Sequence, residues 1–115
     1  MGKMFFVVPG QPKPKARPRF AKGRVYSPSG KEEKRVAGHI RPQMGHWKIC
    51  GAFVALKLVF YREDRRKVDL DNLVKLVTDA MNGLVYVDDA QIVDIHAKKE
   101  HDSVNPRTEV EIWEK

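Results

Sequence analysis

Apolar positions along the chain fall into four strand-like runs and two helical stripes. Met4 to Val8 gathers strand formers and stops at Pro9-Gly10, which predicts a first strand ending in a turn. Ala52 to Phe60 is apolar on both faces except at Lys57, so it is expected to be a central strand covered on both sides. Ile92 to Lys98 alternates, with Val93, Ile95 and Ala97 inward and Asp94, His96 and Lys98 outward. Arg107 to Lys115 alternates again through Val110 and Ile112. Helical spacing occurs in two places. From Leu70, apolar residues recur at Leu73, Val74, Val77, Ala80, Met81 and Leu84, and Asn82-Gly83 supplies the stop. Upstream, Ser27-Pro28 reads as an N-cap and first-turn proline of a helix running through Lys31 to about Ile40. Val36, Ile40, Met44 and Trp47 keep near-helical spacing across Pro42, as one kinked helix or two short ones. The pattern predicts an α+β fold: a mixed sheet of about four strands with two main helices packed on it, in a single domain over residues 1–115.

Charge changes this picture at one end. Residues 1–31 hold eight Lys and Arg and no acid, while the rest carries fourteen bases against fifteen acids. The basicity is concentrated in residues 11–23, where Pro12, Lys13, Pro14, Lys15, Arg17, Pro18 and Arg19 alternate proline with cations. Such an arm favours extended backbone with its charges in solvent, and with so few apolar residues it should be poorly ordered without a ligand. The prolines prevent one continuous apolar helical face, so a nucleic-acid partner is preferred to a membrane. The single cysteine, Cys50, has no intramolecular disulfide partner, and no signal peptide or membrane-length apolar run is visible. These features lead to the expectation of a reducing, cytoplasmic setting.

Against this basic background the carboxylates of one stretch stand out. Asp69 and Asp71 follow Arg65, Arg66 and Lys67 directly, at the start of the second helix, and Asp88-Asp89 and Gln91 lie downstream. Singly, each has a plain structural account: helix capping for Asp69 or Asp71, a spaced helix-face pair for Lys75 and Asp79, a turn for Asp88-Asp89. Jointly, they read as carboxylate oxygens holding a hard divalent cation, Mg²⁺ by preference, with open positions for water and a phosphate oxygen. A set without cysteine or histidine argues against zinc, and His39, His46 and His96 are given no role. Lys75, one turn into the helix, could then reach back to neutralise developing charge, and Arg65, Arg66 and Lys67 could grip flanking phosphates.

Read in order, Pro-Gly-x-Pro-x-Pro-Lys-x-Arg-Pro-Arg at 9–19, Asp-Leu-Asp-Asn-Leu-x-Lys at 69–75, Asp79-Ala80, Asp-Asp-Ala-Gln at 88–91 and then Lys98 resemble the RusA family of Holliday junction resolvases, the crossover junction endodeoxyribonucleases. The resemblance implies a RusA-like fold and a small homodimeric endonuclease, commonly phage- or prophage-borne, that cuts two strands of like polarity across a four-way DNA junction. Its cofactor would be Mg²⁺, with Mn²⁺ as a substitute, and no small-molecule cofactor is implied. By motif, the metal-binding carboxylates are Asp69, Asp71 and Asp89, the essential lysine is Lys75, and Asp88 supports them. The DNA contacts it implies are Lys13, Lys15, Arg17, Arg65, Arg66 and Lys67. The alternatives are a non-catalytic basic DNA- or RNA-binding module and a metal-dependent nuclease acting on other branched DNA.

Overall fold

The computed structural model describes residues 2–16, 19–21, 23–26, 28–49 and 51–115. Six strands and two α-helices follow in the order β1 (Lys3–Pro9), β2 (Arg19–Ala21), β3 (Arg24–Tyr26), α1 (Gly30–Ile40), β4 (Val54–Arg62), α2 (Leu70–Met81), β5 (Ile92–His101) and β6 (Arg107–Glu114). The main sheet has the order β1-β6-β4-β5 and is mixed: β6 runs antiparallel to β1 and β4, whereas β4 and β5 are parallel. The short β2 and β3 pair with each other in an antiparallel ladder. The expected four-stranded mixed sheet and two packed helices are present.

Packing follows from the stripes. On α2, Leu73, Leu76, Val77, Ala80 and Met81 keep the i, i+3, i+4 rhythm, and all are buried in one core with Val36 and Ile40 of α1. The sheet contributes Phe6, Val8, Leu56, Leu58, Phe60, Val110 and Ile112 to that core. Each such side chain contributes about 1.5–3 kcal/mol on burial, which makes the stripe rather than intrinsic propensity the main reason that α2 holds. The helix ends at Asn82, which turns to φ −64° and ψ 125° while its N–H donates to Asp79 O, and Gly83, at φ +78°, carries the turn that follows, a left-handed conformation that costs glycine little.

Some expectations are met and others are corrected. Both helices share the core on one face of the sheet, and inner β4 is covered on the other face too, where Ala55 and Val59 are buried, as its sequence predicts. On the other face Lys57 is exposed, Phe5 is half exposed, and a shallow cavity of about 150 Å³ lies over Val59 and Tyr61. At the sheet edge, β5 leaves Val93 and Ile95 exposed, and the pairing shifts register between Val54 and Ala55. The first helix starts at Gly30 with Ser29 at its N-cap, and the expected cap Ser27 lies outside the described residues. Ser29 Oγ does not cap; it accepts from Ala16 N at 2.8 Å. Across Pro42 the second of the two expected forms is found, two short pieces: Pro42 lacks an N–H and crowds the preceding turn, so α1 stops at Ile40 and residues Arg41–Gln43 follow as a 3₁₀ turn.

The arm is also ordered where it is described. Gly10 N donates to Pro106 O at 3.0 Å and Lys15 N to Asn72 O at 2.8 Å, while Pro12 O accepts from Arg62 Nη1 at 2.5 Å. Low apolar content forgoes core burial, but these backbone bonds to the sheet end and α2 fix residues 10–16 instead. No helix among the described residues is long and apolar enough to cross a membrane.

Candidate active site

The chain leaves β4 at Arg62, passes through a charged loop and begins α2 beside the end of β5. Asp69 occupies the N-cap in extended conformation, φ −67° and ψ 124°, so its carbonyl starts the helix by accepting from Leu73 N at 3.2 Å. Its carboxylate caps no backbone amide, and its contact is a long 3.4 Å one from Asn72 Nδ2. Asp71, in the first turn, is exposed and makes no side-chain hydrogen bond or ion pair among the described residues. Capping therefore does not account for these two acids. Arg65, Arg66 and Lys67 are exposed on the loop that leads to them.

Lys75 makes the helix-face pair with Asp79 that its spacing offers and does not reach back along the helix. Its Nζ pairs forward with Asp79 Oδ1 at 3.1 Å, and the other Asp79 oxygen meets Lys15 Nζ at 3.1 Å. Lys15 also pairs with Glu33 of α1. A chain of alternating charges thus ties α2, the arm and α1 together. Burial opposes the Lys15 charge, but hydrogen bonds and proximity to Glu33 and Asp79 outweigh it and hold the ammonium above its ordinary 10.5. Lys13 is exposed, Lys15 is internally paired, and Arg17 lies outside the described residues.

The acid pair divides into two roles. Asp88 begins the 3₁₀ turn Asp89–Gln91 with a capping box: its carboxylate accepts from Ala90 N at 3.3 Å, and Gln91 Oε1 accepts from Asp88 N at 2.9 Å. The plain turn reading holds for Asp88. Gln91 also donates to Ala52 O at 2.7 Å, fixing the turn to the start of β4. Asp89 lies in that turn, just before Ile92, whose register partner is Val54. Since β4 and β5 are parallel, this is the opposite end of the strands from Asp69, and α2 alone separates its two ends by about 18 Å. The expected single-chain gathering of Asp69, Asp71 and Asp89 is not formed, and no group of three or more metal-ligating side chains stands together among the described residues. Near the acid pair, buried Tyr86 donates to Thr78 O at 2.6 Å; burial, then Asp89, Asp79 and Asp88, push its phenol above its ordinary value.

Three residues that the sequence reading passed over gather where β4 and β5 end, and one of them, Lys99, reaches the residue before Asp69. Arg62, Lys99 and His101 share the helix-covered face at the strand ends, because Phe60 and Arg62 are the register partners of Lys99 and His101. Lys99 Nζ donates to Val68 O at 2.6 Å. No local motif marks them; only the parallel pairing of β4 with β5 brings them there.

Comparison with known proteins agrees with the order of these motifs. The family described as Endodeoxyribonuclease RusA matches residues 9–113 of this chain. A protein of Bacillus subtilis (strain 168), described as the uncharacterized protein YqaN, is 52% identical over 48 residues, which is 42% of this chain and 33% of that protein. The matched stretch thus spans a third of that relative's length.

Proposed function

The chain belongs to the RusA family of endodeoxyribonucleases, and from that premise we propose that it resolves four-way DNA junctions by paired symmetric nicks, as a Mg²⁺-dependent homodimer. The observation that carries this reading at the residue level is the start of α2, where two carboxylates that cap nothing stand beside three exposed cations. All-oxygen donors suit a hard cation. Mg²⁺ is commonly held through one or two carboxylates together with substrate phosphates, and Asp69 and Asp71 fit that role without a complete protein cage. When bound, Mg²⁺ supplies Lewis-acid polarisation of the phosphodiester and a water of lowered pKa.

The remaining work falls to this chain's own groups. Arg65, Arg66 and Lys67 hold phosphates flanking the scissile one, and Lys13 extends that grip. Lys75 exchanges Asp79 for the reacting phosphate and offsets the charge that develops there. Asp89 cannot join Asp69 and Asp71 within one subunit, but a two-fold dimer can present Asp89 of a second copy to them. Two such composite sites would match the two-fold symmetry of a four-way junction, where one cut alone leaves the junction unresolved.

The test is purified protein on an immobile synthetic four-way junction, a linear duplex and a single strand, with Mg²⁺ or with chelator. We expect symmetric junction nicks that require the metal and are lost in Asp71→Asn, while junction binding by that variant survives. Equal cutting of linear duplex would remove the junction claim. Tight binding without cutting by the wild type would favour a non-catalytic DNA-binding module.

A further inference from the structure

Where the parallel strands β4 and β5 end, a cavity of about 450 Å³ opens between them and the first part of the loop that leads to α2. The crevice outside the carboxyl ends of parallel strands is a general ligand position in open sheets, and this volume lies in the range of small-molecule sites. Arg62, Arg65, Arg66 and Lys99 line it with His101, so four permanent cations face two acids, Asp64 and Glu100. Asp64 is partly engaged by its own loop, accepting from Arg66 N at 3.1 Å.

Arg62 makes this a built site and not merely a group of surface cations. Its side chain is 10% exposed, and Pro12 O fixes Nη1 at 2.5 Å. Nε has no hydrogen-bond partner among the described residues, and Nη2 stands 3.6 Å from Asp64, long for a charge-assisted bond. A guanidinium so placed is incompletely neutralised by the protein, and its partial burial reduces the water that screens its attraction for an anion. Lys99 adds a second fixed charge, since its hydrogen bond to Val68 O holds the ammonium one residue from Asp69.

We propose that this cavity seats a DNA backbone phosphate next to the one that is cut, with Lys99 and His101 of β5, Arg62 at the end of β4 and Arg66 of the loop that follows it as its contacts. The proposal rests on the nuclease reading and adds a register to it: a phosphate held here sets which neighbouring phosphodiester reaches Asp69 and Asp71. Lys67 does not line the cavity, so its removal leaves this seat intact.

The experiment measures binding of the full chain to a labelled four-way junction and a linear duplex by fluorescence anisotropy, in chelator, over a series of salt concentrations. Lys99→Met should weaken junction binding and reduce the slope of log affinity against log salt by about 1, whereas Lys99→Arg keeps the wild-type slope. Glu100→Lys should steepen it by about 1, and a melting curve for each variant verifies folding. If the wild type binds junctions and the slope is unchanged in folded Lys99→Met, the seat is refuted while the nuclease reading stands. If Lys99→Met does not fold, Glu100→Lys decides: an unchanged slope refutes the seat, and a steeper one supports it. Failure of the wild type to bind either DNA overturns both readings.

Discussion

Asp69 shows how little a residue's position in an element says about its work. An aspartate at a helix N-cap ordinarily accepts from the N2 or N3 amide, and its loss to alanine costs about 1 kcal/mol. Here the carboxylate is exposed and leaves those amides alone. Asp69→Ala should therefore change thermal stability by at most about 0.5 kcal/mol, in the range of surface substitutions, while abolishing cleavage. A loss of 1 kcal/mol or more would restore the capping account. Asp88 makes the contrast within the same chain, since its carboxylate does cap, in a 3₁₀ turn closed by Gln91. Of these adjacent acids Asp88 is engaged by its own turn, whereas the Asp89 carboxylate makes no hydrogen bond or ion pair among the described residues.

Among the elements, the arm is the one whose behaviour differs most from its composition. Lys15 stands between Glu33 of α1 and Asp79 of α2, and Asp79 in turn holds Lys75. Removing the Lys15 charge should release residues 10–16, detected as faster amide exchange at Lys15, whose N–H bonds Asn72 O. Because the Lys15 pKa is raised on folding, its contribution is complete below 10.5 and is lost as pH rises through the higher folded value. The wild type should accordingly lose stability more steeply above pH 10.5 than Lys15→Met does. Parallel slopes for the two proteins would show that the ion pairs contribute nothing. Asp79 holds Lys75 as well as Lys15, so in the proposed reaction the docking of the arm would be coupled to the release of Lys75.

For the whole molecule, the opposed placement of Asp69 and Asp89 makes subunit number a testable matter. If each site takes Asp69 and Asp71 from one copy and Asp89 from another, Asp71→Asn and Asp89→Asn subunits are separately inactive. A mixed dimer then carries one site with both substitutions and one with neither. Mixing the two variants should restore single nicks on a four-way junction without paired resolution. No recovery, with subunit exchange demonstrated by differently tagged chains, would mean that the carboxylates do not work across subunits.

The sequence by itself determined the period of each element and hence the apolar face it buries. The stripe of α2, the alternation of β6 and the stop at Asn82-Gly83 were legible because periodicity and turn chemistry are local. The Asp-Leu-Asp-Asn and Asp-Asp-Ala-Gln segments were legible for the same reason, and so was the family. What stands opposite a residue is not local. Tertiary structure alone decided that Lys15 turns inward, that Asp89 ends up across the sheet from Asp69, and that Lys99 and His101 join Arg62. For Asp89 and for the residues of β5 the cause is the parallel pairing of β4 and β5 through α2, which sends a chain that leaves one end of the sheet back to the other before it can pair, and for Lys15 it is the meeting of Glu33 of α1 and Asp79 of α2 around its ammonium.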